Sequence, residues 1–304
     1  MKWLFTKHKK LAYSLLAIAL VVAVVVELLV GWKNVLIWSG LTPSPVTVEG
    51  EMEVHFIDVG NADSILIRQG AKNLLIDAGE RGDVDDILEY FEQHGVERLD
   101  MVIATHPHAD HIGAMPEIIK HIPISKFVMS FMPEEATPTS AIYRDMLIAL
   151  DEKGVLVEEA VLGTVYELGE ARLQILSPLE ESNETNDMSV VTRLTFGQHA
   201  FLFTGDAGTA VEKQLMKSGY DLKADVLKVS HHGSTTGNSA AFLKKVDPAY
   251  AVIPCGADNT YGHPHKEVIS RLNNRKIPFY RADVYGDIVF TSDGNNLSIK
   301  TEKE

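Results

Sequence analysis

One cysteine, Cys255, stands in 304 residues. No disulfide can form within the chain and no cysteine-based zinc cluster can be built, so any bound metal must be held by histidine, aspartate or glutamate. Basic residues are scarce as well: 28 Lys and Arg stand against 42 Asp and Glu, for a net charge of −14. That balance is not the electrostatic footprint of a tight nucleic-acid binder. It does not exclude one, because bound cations can supply positive charge locally. There is no internal repeat and no low-complexity tract, which argues against a solenoid or array. Long apolar runs are missing too, with one exception at the start of the chain.

That exception is residues 11–30, LAYSLLAIALVVAVVVELLV, in which Glu27 is the sole charge. About 20 apolar residues suffice to cross a bilayer as a helix. A cleaved signal peptide would have a shorter apolar core and a small-residue cleavage site. The flank GWKNVLIWSG offers no such site, so an uncleaved anchor over residues 11–31 is expected. Glu27 falls near its far end, within reach of the interface, and Trp32 and Trp38 suit an interfacial belt. Residues 1–10 carry Lys2, Lys7, Lys9 and Lys10, and the positive-inside rule keeps them cytoplasmic. The expectation is a single-pass membrane protein with everything after the helix outside. Setting those four lysines aside from the total of −14 leaves about −18 on residues 11–304. Residues 32–50 read as a linker, rich toward their end in Ser, Thr, Pro and Gly (SGLTPSPVTVEGE at 39–51).

From residue 51 to 304, short apolar runs alternate with helical stretches. Strands are expected at 54–59, 64–68, 73–76, 101–104, 127–130, 155–159, 171–176, 188–196, 200–204, 225–229, 249–253, 278–281, 286–291 and 296–300. Helices are expected at 83–94, 113–121, 140–153, 208–218, 238–245 and 265–274. Such interleaving predicts an α/β domain of sheets covered by helices. Two halves of similar make-up predict two packed sheets with helices outside, a four-layer αββα sandwich.

The strongest chemical signal is Thr105-His106-Pro107-His108-Ala109-Asp110-His111, placed directly after the apolar strand 101–104. Four potential ligands fall in six residues, in a chain with 12 histidines. His106 and His108 can share one ion, and Asp110 and His111 can serve another; imidazole and carboxylate suit zinc, manganese or iron. A second apolar strand ends in Thr204-Gly205-Asp206, where a carboxylate can bridge two cations. A third delivers Ser230-His231-His232-Gly233-Ser234. One of the two histidines is expected to bind metal and the other to contact substrate or sit behind, with His232 on the metal and His231 on the substrate, or the reverse. A fourth segment, Tyr261-Gly262-His263-Pro264-His265, offers His263 as a donor to a substrate oxyanion and Tyr261 as a substrate contact.

The set His106, His108, Asp110, His111, Asp206 and one of His231 and His232 resembles the ligand set of the metallo-β-lactamase superfamily, over about residues 53–290. The finer resemblance is to the extracellular domain of ComEC-like competence proteins, which serve DNA uptake, and to their stand-alone relatives. It is carried by His55 to Ser64, Leu75-Ile76-Asp77-Ala78-Gly79, Asn186-Asp187-x-Ser189, Thr204 to Asp206, Leu227 to Ser234 and Tyr261 to Pro264. The opening reads Val-Gly-Asn-Ala-Asp where that family reads Val-Gly-Gln-Gly-Asp. Many superfamily hydrolases place a further histidine ligand on a strand before the Gly-Asp; here that region offers Asn186 and Asp187. Asp187 is the better ligand by chemistry, and Asn186 fits equally by position.

The resemblance implies a hydrolase with two divalent cations, zinc or manganese, that activate a bridging hydroxide oriented by Asp110. The substrate it implies is a phosphodiester, with DNA outside the cell as the example. A cell-surface hydrolase of a small ester, such as a phosphorylcholine-type phosphodiester or a lactone, is the alternative reading. A metal-stabilised module without catalysis is the third.

Overall fold

The computed structural model describes residues 50–304. The expected cytoplasmic segment 1–10, the anchor 11–31 and the linker up to residue 49 lie outside the described residues. Among the described residues, no helix is long and apolar enough to cross a membrane.

Strands β1 (Met52–Phe56), β2 (Ile65–Gln69), β3 (Lys72–Ile76), β4 (Met101–Ala104), β5 (Lys126–Met129) and β6 (Leu156–Glu159) lie side by side in chain order. A second sheet holds β7 (Val165–Leu168), β8 (Ala171–Ile175), β9 (Thr192–Phe196), β10 (His199–Phe203), β11 (Val226–Lys228), β12 (Tyr250–Ile253) and β13 (Phe279–Arg281), also in chain order. The last two strands, β14 (Ile288–Ser292) and β15 (Leu297–Thr301), return to the first sheet, where β14 pairs antiparallel with β1. In each sheet the four strands at one edge are parallel, β3–β4–β5–β6 and β10–β11–β12–β13.

Parallel strands covered on both faces read as unbroken apolar runs, and β4 shows why. Met101 and Ile103 point between the sheets, while Val102 and Ala104 point out toward the helices. Phe56, Phe201, Phe203 and Phe290 fill the space between the sheets, with Phe201 and Phe290 edge to face at 6.0 Å. Outside the first sheet pack helices α1 (Val84–Gln93), α2 (Ala109–Ile112), α3 (Met115–His121) and α4 (Ala141–Lys153). Outside the second pack α5 (Thr209–Lys217), α6 (Ala240–Val246) and α7 (Lys266–Asn274); a short α8 (Ala282–Tyr285) precedes β14. Three apolar layers separate four structural layers, the expected αββα sandwich.

Three details differ from the sequence reading. The run 188–196 becomes a strand only from Thr192, because Thr185–Met188 is a 3-10 turn and Val190 N–H donates to the Thr105 carbonyl at 2.9 Å. β7 and the short helices α2 and α8 were not anticipated; four residues are too few to show a period. Gly113, after α2, allows a close chain crossing. A Cβ there would overlap the Ala109 carbonyl oxygen and the Arg81 backbone nitrogen. Both obstacles are backbone, so Gly113→Ala is expected to cost about 3 kcal/mol, read as a lowered urea midpoint; an unchanged midpoint would show that the crossing relaxes freely.

Candidate metal centre

In open parallel sheets, ligand sites form beyond the carboxyl ends of the strands. Both sheets place their polar loops at that end. β3 is followed directly by Asp77, which is fully buried. Asp77 accepts hydrogen bonds from the Thr105 N–H at 2.8 Å and the Thr105 hydroxyl at 2.7 Å, and it lies 2.8 Å from His111 Nδ1. One carboxylate thereby fixes the start of the histidine loop and one of its rings. With its proton on Asp77, the Thr105 oxygen can only accept from His106 Nδ1 at 3.1 Å. That sets the His106 tautomer and leaves Nε2 with a lone pair. His106 Nε2 stands 3.0 Å from His108 Nδ1, a spacing suited to two nitrogens that share a cation.

β10 delivers Asp206, whose two oxygens diverge. Oδ1 is 3.3 Å from His111 Nε2, and Oδ2 is 3.9 Å from His106 Nε2, 3.5 Å from His231 Nε2 and 3.9 Å from His232 Nε2. β11 ends in the buried Lys228, which is ion-paired to Asp63 Oδ2, donates to the Gly205 carbonyl at 2.9 Å and lies 3.8 Å from Asp206 Oδ1. The chain then passes through His231 (φ 52°) and His232 (φ 50°), two consecutive non-glycine residues in the left-handed region. Such strain persists only where the surroundings over-determine it. Here Asn238 clamps the loop: its Oδ1 accepts from Ser230 N–H at 2.9 Å, and its Nδ2 donates to the carbonyls of Ser230 at 2.9 Å and Ser234 at 3.1 Å. His232 Nδ1–H donates to the Pro254 carbonyl at 3.0 Å, which leaves Nε2 facing Asp110 Oδ2 at 3.3 Å.

The residues fit divalent cations. Ligand atoms of Asp110, His111, Asp206 and His232 all lie within 4.8 Å of one another. Two buried atoms of that group, His111 Nε2 and Asp206 Oδ1, face each other without a hydrogen bond. Buried polar atoms are rarely left so, and a cation between them satisfies both. A second set of three, Asp63, Asp77 and His111, meets the same criterion, but Lys228 and Thr105 already occupy those carboxylates.

The electrostatics follow from burial and proximity. Burial pulls the His111 imidazolium down, but Asp206 and Asp77 outweigh it and hold the ring well above its ordinary value. Burial also opposes charge on His232, and Asp206 and the Asp110 hydrogen bond raise it nonetheless. Burial would raise Asp206 and Asp110, yet the neighbouring histidines keep both below the usual carboxylate range. His106 is pushed well below its ordinary value, first by burial and then by His111. A metal ligand needs a neutral imidazole, so cations must displace protons from His111 and His232. Loading at pH 7 is expected to release about one to two protons, and affinity to weaken as pH falls from 8 to 6. Calorimetry in buffers of different ionisation enthalpy measures this; heats independent of buffer would contradict it.

His263 has its ring 5.3 Å from that of His231, and burial with the adjacent histidines lowers its pKa to about 4. At neutral pH it can donate a hydrogen bond from a neutral ring, but it holds no labile imidazolium proton. Tyr261, 70% exposed, stacks on His263 at 5.6 Å. The fold thus brings His106, His108, Asp110, His111, Asp206, His231, His232, His263 and Tyr261 to one end of the sandwich. Asp187 Oδ1 lies beside Gly208, 2.8 Å from where a Cβ would stand, and Asp187 belongs to neither of the two ligand groups above. Its neighbour Asn186 faces His231, with Nδ2 at 3.3 Å from Nδ1. Lys228 and Thr105 were missed as site residues, and Asp63 and Asp77 were read only as markers of resemblance. A lone lysine inside the apolar run Asp225-Val-Leu-Lys-Val-Ser230 was the available signal.

The family model for the metallo-beta-lactamase superfamily matches residues 57–257. The chain is similar to ComE operon protein 3 of Bacillus subtilis (strain 168), 29% identical over 266 residues that cover 80% of this chain and 33% of that protein. It is 30% identical to competence protein ComA of Neisseria gonorrhoeae over 263 residues, covering 85% of this chain and 35% of that protein. The chain therefore spans about a third of the length of the curated relatives it matches. Among solved structures, the metallo-beta-lactamase fold protein YhfI from Bacillus subtilis superposes with a TM-score of 0.54 at 14% identity, over 80% of this chain and 100% of that one. Fold, ligand loops and family match agree: this chain belongs to the metallo-beta-lactamase superfamily of metal-dependent hydrolases, with relatives among the ComEC-like competence proteins.

Proposed function

We propose that the chain hydrolyses phosphodiesters outside the membrane, with a nucleic-acid strand as the substrate class and zinc or manganese as the ion. The observation that carries this reading is Asp206, whose Oδ1 faces His111 while its Oδ2 faces His106, His231 and His232. Two cations held there would lower the pKa of a coordinated water toward neutrality and neutralise charge developing on a phosphoryl group. Nitrogen and carboxylate donors without thiolate are compatible with both ions.

The chain's own groups do the rest. Asp110, its side chain 28% exposed while His111, His232 and Asp206 are buried, is the carboxylate placed to accept a hydrogen bond from an attacking water and orient it. His263 donates from its neutral ring to an oxygen on which charge builds. Tyr261 offers an exposed ring on which a base can stack. The similarity to competence proteins and the expected anchor, with lysines on its N-terminal side, support an external site of action.

One observation favours a smaller ester. The chain carries 42 Asp and Glu against 28 Lys and Arg, a balance that repels a phosphate chain. Cleavage of single-stranded DNA, double-stranded DNA and bis-p-nitrophenyl phosphate by the full chain, across 50–300 mM salt, separates the two. DNA cleavage whose apparent affinity falls steeply with salt supports the nucleic-acid reading; cleavage of the small diester alone, insensitive to salt, overturns it.

A further inference from the structure

Three non-glycine residues within eight positions take left-handed backbone: His231 (φ 52°), His232 (φ 50°) and Asn238 (φ 61°). Each such residue costs free energy that its surroundings must offset. Asn238 steadies the first two through its side chain, which bridges Ser230 and Ser234 on either side of the histidine pair. What holds Asn238 itself comes from two helices that carry none of the ligands.

Glu212, on α5, is 2% exposed. Its carboxylate accepts from the Asn238 N–H and, with its two oxygens, from the Ser239 N–H at 3.2 and 3.1 Å. Arg271, on α7, donates from Nη1 to the carbonyls of Asn238 at 3.0 Å and Gly237 at 3.2 Å. An anion and a cation thus take the N–H and the C=O of the same left-handed residue. The direction of each bond is fixed, since backbone N–H and guanidinium only donate while carboxylate and carbonyl only accept. Burying a carboxylate is costly unless it is well hydrogen-bonded. The needs of α6 do not explain that cost, because Ser239 Oγ already caps the helix by accepting from the Phe242 N–H at 3.2 Å.

The same loop is tied to the loop that carries Asp206. Ser230 Oγ donates to the Ala207 carbonyl at 2.7 Å, and the Thr209 N–H donates to the Thr236 carbonyl at 2.8 Å. A Cβ on Gly237 would come within 2.9 Å of the Ala207 carbonyl oxygen. Holding Asn238 therefore sets where His232 stands relative to Asp206, two of the four clustered ligands.

We infer that Glu212 and Arg271 are positioning residues of the metal centre: acting through Asn238, they hold the His231–His232 turn against the Asp206 loop and so raise its affinity for the ion, touching neither ion nor substrate. The inference rests on the reading of Asp110, His111, Asp206 and His232 as a cation site.

The test is calorimetric metal binding by the full chain, with zinc alone and manganese alone as probes, beside urea unfolding of the chelator-treated protein. Glu212→Gln and Arg271→Ala are each expected to lower affinity for one ion about 10-fold. Asn238→Gly keeps the left-handed backbone without the side chain, and its expected loss is up to about 100-fold, in the range seen when groups behind a ligand are removed. Added to Asn238→Gly, Glu212→Gln is expected to cost less than it does alone, because the helices no longer reach the turn through that side chain. Arg271 is partly exposed, so its variant gives a reading even where Glu212→Gln does not fold. Residues that serve only the fold lower the urea midpoint but leave the affinity of folded molecules unchanged. Wild-type affinity in either folded variant would therefore overturn the inference, as would full additivity in the double variant. Wild-type protein that binds neither ion would overturn the cation site itself, and the inference with it.

Discussion

Asp206→Asn is expected to lower hydrolysis by about 10³-fold or more. Asp206 is the residue whose carboxylate oxygens reach both His111 and the His106–His231 side. Asparagine keeps the volume, so the loop need not collapse. It removes the negative charge that balances His111 and Lys228, and its amide is a poor bridge between cations. Each ion contributes several kcal/mol to a hydrolytic transition state, and about 4 kcal/mol corresponds to 10³ in rate. His106→Ala should act in the same direction with the second site preserved. The check is turnover of bis-p-nitrophenyl phosphate alongside metal content; a variant that keeps more than a few per cent of wild-type turnover would remove Asp206 from the centre.

Lys228→Met is expected to be the largest single loss of stability among these variants. The side chain is fully buried and paired with Asp63, itself buried. Removing Lys228 leaves the buried Asp63 facing only His111 at 3.7 Å and His232 at 3.6 Å, and breaking a buried ion pair costs about 3–5 kcal/mol. Replacing both partners removes that penalty, so Asp63→Asn with Lys228→Met should recover most of the loss. Urea unfolding of the two single variants and the double variant measures the coupling. Additive losses would mean that the pair is not an energetic unit, and a Lys228→Met cost under 1 kcal/mol would mean that water reaches it.

The αββα order was legible because strands buried on both faces spell long apolar runs, as in Met101 to Ala104 and Phe201 to Phe203, and because amphipathic helices separate them. The return of β14 and β15 to the first sheet was not legible: Ile288 to Ser292 looks like any other alternating strand, and its partner β1 lies more than 230 residues earlier. The metal loop announced itself by density, with three histidines and an aspartate in six positions. The roles of Asn186 and Asp187 did not, because neighbouring residues in a 3-10 turn point in different directions and composition cannot say which faces the site. Nor could spacing show that His231 and His232 take left-handed backbone, which turns the two rings toward different partners. Asp63, Asp77 and Lys228 were hidden for a related reason: they touch ligands from behind, and the contacts arise only when three strands of two sheets converge.

The central claim is that this cluster hydrolyses through divalent cations. The most direct measurement is turnover of bis-p-nitrophenyl phosphate by the full chain before chelation, after it, and after manganese or zinc is returned, beside His108→Ala. The account predicts activity that vanishes on chelation, returns with one of the two ions and is absent throughout in the variant. Equal turnover before and after complete metal removal, or undiminished turnover in His108→Ala, would contradict it.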